Sequence, residues 1–132
     1  ALVGVDLHKD PAVLERAYND SAGVTAAFNL NVLNSLNRLL DADFDGHAFS
    51  HRAFYDARRQ RIEMHLVSER EQVVRCSGES IHFAAGETLH TENSYKYTVE
   101  GFAELAAGAG LAVREHWVDA GGLFSVHYLE RA

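Results

Sequence analysis

The chain has 132 residues, 47% hydrophobic and 23% charged, the composition of a soluble globular domain large enough for one core. Nineteen acidic residues against twelve basic ones give a formal net charge of −7, and no basic run breaks that balance, which argues against nucleic-acid binding. No apolar stretch approaches membrane-spanning length, no signal-peptide pattern opens the chain, and the lone Cys76 has no internal partner, so the expected setting is the cytoplasm.

The run Leu2-Val3-Gly4-Val5-Asp6-Leu7 reads as a strand buried on both faces, as in a parallel sheet. Such a strand needs neighbours, so the expectation is a chain that begins inside a larger α/β domain. Asp10-Pro11 is a helix start, with Asp as cap and Pro at the first helical position, and the helix runs to about Tyr18. Asn19 to Gly23 is a turn cluster. A second helix is expected from Val24 to Leu40, with Phe28, Val32, Leu36, Leu39 and Leu40 as its apolar side and Asn29 elsewhere. Asp41 to Gly46 reads as an acidic, flexible connection.

The hydrophobic period then changes from helical to alternating. Phe49–Tyr55 and Ile62–Leu66 are expected to form a hairpin, followed by short strands at Val73–Cys76 and Ile81–Phe83 and a longer one at Thr88–Tyr97. Thr98 caps a helix with an apolar stripe of Val99, Phe102, Leu105 and Ala106, ending among Gly108 and Gly110. Leu111–Val118 and Leu123–Leu129 form a terminal hairpin.

Alternation places Glu92 and Ser94 on one face of their strand, about 7 Å apart from the rise per residue. A carboxylate and a hydroxyl so spaced can grip a small ring with two nitrogens; the same spacing also describes a solvated strand face. Tyr18 and Thr25 flank the turn between the first two helices, where they either line a pocket or serve turn and cap chemistry. His90 shares the face of Glu92 by alternation. Eight histidines raise the question of a metal, but HExxH and CxxC are absent, most of the histidines read as surface or interface residues, and no metal site is expected. Cys76 lacks the surroundings of a nucleophile. Gly108-Ala109-Gly110 follows a helix where a phosphate loop would open one.

Several of these segments together resemble the histidine-specific, SAM-dependent methyltransferases, which trimethylate the α-amino group of L-histidine on the route to ergothioneine. The matching residues are Leu2-Val3-Gly4-Val5-Asp6 with Lys9-Asp10, Ala17-Tyr18, Ala22-Gly23-Val24-Thr25-Ala26 with Phe28-Asn29, Arg61-Ile62-Glu63-Met64, Phe83-Ala84-Ala85-Gly86-Glu87 and Thr91-Glu92-Asn93-Ser94. The resemblance runs along nearly the whole chain but corresponds only to the C-terminal part of such an enzyme.

The resemblance implies an α+β fragment of an α/β enzyme. Residues 1–9 would be the fifth strand of a doubly wound SAM-methyltransferase sheet. Residues 10–97 would be most of an inserted substrate domain of two helices and antiparallel strands. Residues 98–132 would return to the sheet as a helix and the last two strands, with Leu123–Leu129 between Leu2–Leu7 and Leu111–Val118. The family's pattern implies that Glu92 and Ser94 hold the imidazole, that Tyr18 binds the amino-acid end, and that Thr25 lines the pocket. Met64 would lie near the ring, with plain core packing an equal reading of its alternation with Ile62 and Leu66. S-adenosyl-L-methionine would be bound by a missing N-terminal part, no residue here being catalytic, and the fragment alone is expected to be inactive. An open apolar strand edge, with Val3, Val5, Trp117, Phe124 and Val126 exposing apolar area, implies a possible homodimer. The competing reading is a non-catalytic amino-acid-binding or interaction module.

Overall fold

The computed structural model describes residues 1–132, with three α-helices and eight strands that pair antiparallel throughout. In chain order these are β1 (Leu2–Asp6), α1 (Pro11–Tyr18), α2 (Val24–Leu40), β2 (Phe49–Asp56), β3 (Arg61–Ser68), β4 (Gln72–Cys76), β5 (Glu79–Phe83), β6 (Thr88–Tyr95), α3 (Val99–Gly108), β7 (Leu111–Val118) and β8 (Phe124–Arg131). A single 3-10 turn, Gly46–Ala48, precedes β2. No helix is long and apolar enough to cross a membrane.

One sheet has the order β1-β8-β7, the order the resemblance implies, and α3 packs against β7. A second has the order β2-β3-β6, with α1 and α2 packed against it, and β4 and β5 form a separate pair. The two larger sheets meet where β1 runs out: Leu7 bridges Tyr97 in parallel, and the Asp6 carbonyl accepts from the Tyr97 amide. That junction brings β1, α1 and the end of β6 together.

The helix starts follow local chemistry. The Asp10 carboxylate accepts from the Ala12 amide at 2.8 Å, and Pro11 occupies the first position of α1. Asp20 does the same for α2, accepting from the amides of Val24 and Thr25. Thr98 caps α3 through the Gly101 amide. Asp10→Ala should therefore lower stability by about 1 kcal/mol, the usual worth of an N-cap, read as a small drop in thermal midpoint with the fold unchanged.

The main core joins Leu33, Phe44, Ala48, Phe49, Leu66, Val74 and Phe83. Its three phenylalanines meet at ring centroid separations of 5.5–6.2 Å in tilted or edge-on contact, the arrangement aromatic quadrupoles favour. A smaller core of Leu14, Ala53, Ile62 and Met64 lies between α1 and the second sheet, with Tyr18 and Tyr55 against it.

Several expectations are corrected. The buried side of α2 is Asn29 and Leu33, whereas Phe28 is 65% and Leu39 74% exposed. Asn29 is tolerated inside because its amide is fully engaged, as described below. The Asp41–Gly46 connection is anchored: Asn37 donates to the Phe44 carbonyl and accepts from the Phe44 amide, which seats the Phe44 ring in the core. Leu105 is exposed, and Ala106 is the buried residue of α3. β1 is an edge strand with one antiparallel neighbour, so Leu2 and Gly4 are exposed while Val5 is buried, against the expectation that Val5 would expose apolar area. His127 is the one histidine that is fully buried, at 0% exposure beside Ser125 and Phe102.

Candidate functional site

A β-bulge in β6 organises the site. Ser94 pairs with Ile62, Asn93 with Glu63 and Glu92 with Met64, but the next pair is His90 with His65, so Thr91 is the extra residue. A bulge re-aims the side chains around it. Glu92 and Ser94 keep the face of Ile62 and Met64, toward the helices. His90 is turned to the opposite face and stacks on His65 at a centroid separation of 4.4 Å. Simple alternation had put His90 beside Glu92; the bulge separates them.

On the helical side, Glu92 lines a cavity of about 220 Å³ with Thr91 and, from α2, Phe28, Asn29, Asn31, Val32 and Ser35. The Glu92 side chain is exposed and has no hydrogen-bond partner in the protein. The cavity wall is tightly determined. Asn29 donates to the His65 carbonyl at 3.2 Å and contacts His51 Nδ1 at 3.0 Å, while its oxygen accepts from the Thr91 hydroxyl at 2.6 Å. His51 Nε2 in turn reaches the Tyr18 carbonyl at 2.8 Å. With Asn29 donating to Nδ1, the His51 proton sits on Nε2, where it can donate to that carbonyl. One network thus runs from the end of α1 to the bulge.

Ser94, two residues on, faces a different cluster. The Tyr18 hydroxyl donates to Ser94 Oγ at 2.8 Å. Lys96, whose side chain is 0% exposed, donates to the Tyr18 hydroxyl at 2.9 Å and to Ser94 Oγ at 2.8 Å, and pairs with Asp6 Oδ2 at 2.6 Å. Its ammonium also lies 4.8 Å from the Tyr18 ring centroid. Lys9 closes on the other Asp6 oxygen. Burial pushes the Asp6 carboxyl up, but the hydrogen bonds and charges of Lys9 and Lys96 outweigh it and hold the group below the ordinary carboxylate range. Ser94 also lines a groove of about 380 Å³ together with Val3–Asp6, Tyr95, Tyr97, Phe102 and Phe124.

The opposite face of the second sheet carries Glu63, His65 and His90, whose potential ligand atoms lie within 4.8 Å of one another. Arg61 donates twice to Glu63 Oε1, and His65 Nε2 contacts Glu63 Oε2 at 3.0 Å. These bonds, Arg61 first, hold the Glu63 carboxyl below its ordinary range. The group is an ion-pair network in which the Glu63 carboxylate is engaged on both oxygens, while the buried His65 Nδ1 has no hydrogen-bond partner.

The expected site residues are therefore distributed as follows. Tyr18 and Ser94 touch. Glu92 lies along the same strand face, in a neighbouring cavity. Met64 is buried in the small core as the cross-strand partner of Glu92. Thr25 sits at the start of α2 with its amide on Asp20, and lines neither the Glu92 cavity nor the Ser94 groove. Asp6, Asn29, His51 and Lys96 were not singled out from the sequence. A signal for Lys96 was present, because Glu92, Ser94 and Lys96 continue one alternation.

The profile of a family described as histidine-specific methyltransferase, SAM-dependent, matches residues 1–131. The chain is 46% identical over 127 residues to the histidine N-alpha-methyltransferase of Mycolicibacterium smegmatis and 44% identical over 127 residues to that of Mycobacterium tuberculosis. Each alignment covers 95% of this chain and 40% of the relative. Ergothioneine biosynthesis protein 1 of Neurospora crassa is 29% identical over 145 aligned residues, 99% of this chain and 15% of that protein.

Proposed function

The chain belongs to the histidine-specific, SAM-dependent methyltransferase family, and on that premise we propose that it is the histidine-binding, C-terminal part of an enzyme that trimethylates the α-amino group of L-histidine. It spans 40% of the two mycobacterial relatives' length, so the activity is that of a larger protein. Residues 10–97 would be the substrate domain. Residues 1–9 and 98–132, which carry the β1-β8-β7 sheet, would belong to the SAM domain. The product would enter ergothioneine biosynthesis, as the name of the Neurospora relative indicates for that protein.

The observation that carries this reading is the unpartnered Glu92 carboxylate on the strand face of Ser94. An exposed carboxylate at a cavity rim with no partner in the protein is available to a ligand N–H. Glu92 would take one imidazole nitrogen and Ser94 the other, with Met64 beneath as the apolar wall and Thr25 further out on α2. The Tyr18 oxygen, which accepts from Lys96 and donates to Ser94, keeps one lone pair for the substrate's amine. Binding of this kind works by positioning, holding the amine in line for methyl transfer. SAM supplies the methyl group in this family. Gly108 and Gly110 close α3 instead of opening a helix, as a phosphate-type loop would, which supports a donor held by residues outside these 132.

Tyr18→Phe in the full-length protein should raise the KM for histidine several-fold, about the worth of one hydrogen bond, and should also lower stability by about 1–3 kcal/mol, because the buried Lys96 ammonium loses an acceptor. A large midpoint loss with normal kinetics would instead make Tyr18 a packing residue.

The outer edge of β1 is unpaired, and Trp117 (51% exposed) and Phe124 (45% exposed) lie on the same sheet. An open edge with apolar surface nearby favours pairing with a second copy. Light scattering of the isolated chain should show a dimer or larger species; a strict monomer at high concentration would mean the edge is adequately protected.

A further inference from the structure

We propose that Lys96, held by Asp6, is a positioning residue that makes the Ser94 hydroxyl an obligate hydrogen-bond donor, so that the site takes the histidine ring with a bare nitrogen facing Ser94. This rests on the assignment of Glu92 and Ser94 to the imidazole.

The argument is a count of donors and acceptors. An ammonium has three donors and no acceptor. Those of Lys96 go to Asp6 Oδ2, the Tyr18 hydroxyl and Ser94 Oγ, at 2.6, 2.9 and 2.8 Å. Lys96 is fully buried, so no water competes for them. The Tyr18 oxygen is therefore an acceptor toward Lys96, and its proton goes to Ser94 at 2.8 Å. A phenolic O–H is a stronger hydrogen-bond donor than an aliphatic one, which favours this direction. Ser94 Oγ then accepts twice, from Lys96 and from Tyr18. A hydroxyl oxygen has two lone pairs, and both are occupied. Only the Ser94 proton remains for a ligand.

Glu92 is the complement. An ionised carboxylate accepts and cannot donate. The pair therefore reads one ring N–H and one ring nitrogen without a proton. That is the neutral imidazole; the imidazolium would press an N–H against a saturated oxygen. The Tyr18 oxygen keeps its free lone pair beside Ser94, so the substrate's amine and the bare nitrogen lie at the same end. In histidine the nitrogen nearer the amine is Nδ1. The geometry thus selects the tautomer with bare Nδ1 at Ser94 and Nε2–H at Glu92.

The test compares two ligands in the full-length protein by titration calorimetry: L-histidine, and β-(pyrrol-3-yl)-L-alanine, which keeps the distal N–H but has C–H in place of Nδ1. Wild type should prefer histidine by about tenfold or more, the worth of a donor left facing carbon. Ser94→Ala should shrink that preference to within about threefold, since the donor is gone. Lys96→Met should also shrink it, by freeing a lone pair and releasing the fixed orientation. The ratio of two affinities in one variant does not depend on how much of the sample is folded. If Lys96→Met does not fold, Tyr18→Phe removes the other donor to Ser94 and should shrink the ratio in the same way. Equal affinities in wild type, with histidine still bound, would overturn the donor assignment and leave the proposed function standing. An unchanged ratio in Lys96→Met and in Tyr18→Phe would remove Lys96 as the positioning residue. Absence of histidine binding altogether would overturn both.

Discussion

Asp6→Ala should cost about 3–5 kcal/mol of folding stability, the penalty for leaving one member of a buried ion pair without its partner. Lys96 is 0% exposed and has no other carboxylate within reach, so its ammonium would face only the hydroxyls of Tyr18 and Ser94. Urea unfolding should show a lower midpoint with little change in slope. Replacing both members together, Asp6→Leu with Lys96→Met, should recover part of the loss, because the apolar pair has no charge to desolvate while Lys9 is still left without its carboxylate. The double variant would nonetheless lose the ring preference described above. Stability and recognition are thereby separable at this cluster. The pH dependence follows from the direction of the shift. The Asp6 carboxyl titrates below its ordinary value of 3.8, so the folded state binds its proton less readily than the unfolded chain does. The contribution of the pair is complete above that value and is lost as the pH falls through the lower folded one. At neutral pH, Asp6→Ala should show its full effect.

Glu92→Ala in the full-length protein should weaken histidine binding by about 1.5–3 kcal/mol, the range for a hydrogen bond to a charged group. The Glu92 side chain has no partner in the protein and is exposed at the cavity rim, so its removal should leave the thermal midpoint nearly unchanged. That combination separates a binding residue from a structural one. Calorimetry showing unaltered histidine affinity in Glu92→Ala would sink the assignment of this carboxylate to the ring.

Much of the architecture was legible because it is written in local chemistry. Asp10-Pro11, Gly23 and Thr98 mark the helix starts, and the switch from helical to alternating period marks the strands. The order β1-β8-β7 followed from the family resemblance. What escaped depends on long-range polar satisfaction. Asn29 looks like a solvent-facing helix residue, yet it is buried because His51, the His65 carbonyl and Thr91 complete its hydrogen bonds. Hydrophobic periodicity cannot see such a residue, and so the apolar side of α2 was drawn to include the exposed Phe28, Leu39 and Leu40 and to omit Leu33, although Val32 and Leu36 do pack on the main core.

The bulge at Thr91 escaped for a related reason. Alternation assumes an unbroken ladder, and a single inserted residue moved His90 from the Glu92 face to the Glu63 face. Glu92 and Ser94, both on the C-terminal side of the bulge, kept their common face, which is why the two-residue spacing was informative. Lys96 continues that spacing, but an isolated lysine reads as a surface residue. Only the approach of β1 to the end of β6, through Leu7 and Tyr97, brings the Asp6 carboxylate that allows it to be buried.

The most direct measurement of the central claim is mass spectrometry of L-histidine incubated with SAM and the full-length protein, alongside its Glu92→Ala variant. The account predicts α-N-trimethylated histidine from the wild type and a strongly reduced yield from the variant at sub-saturating histidine. Unmethylated histidine from a folded, SAM-binding wild-type protein, or equal yields from both, would contradict it.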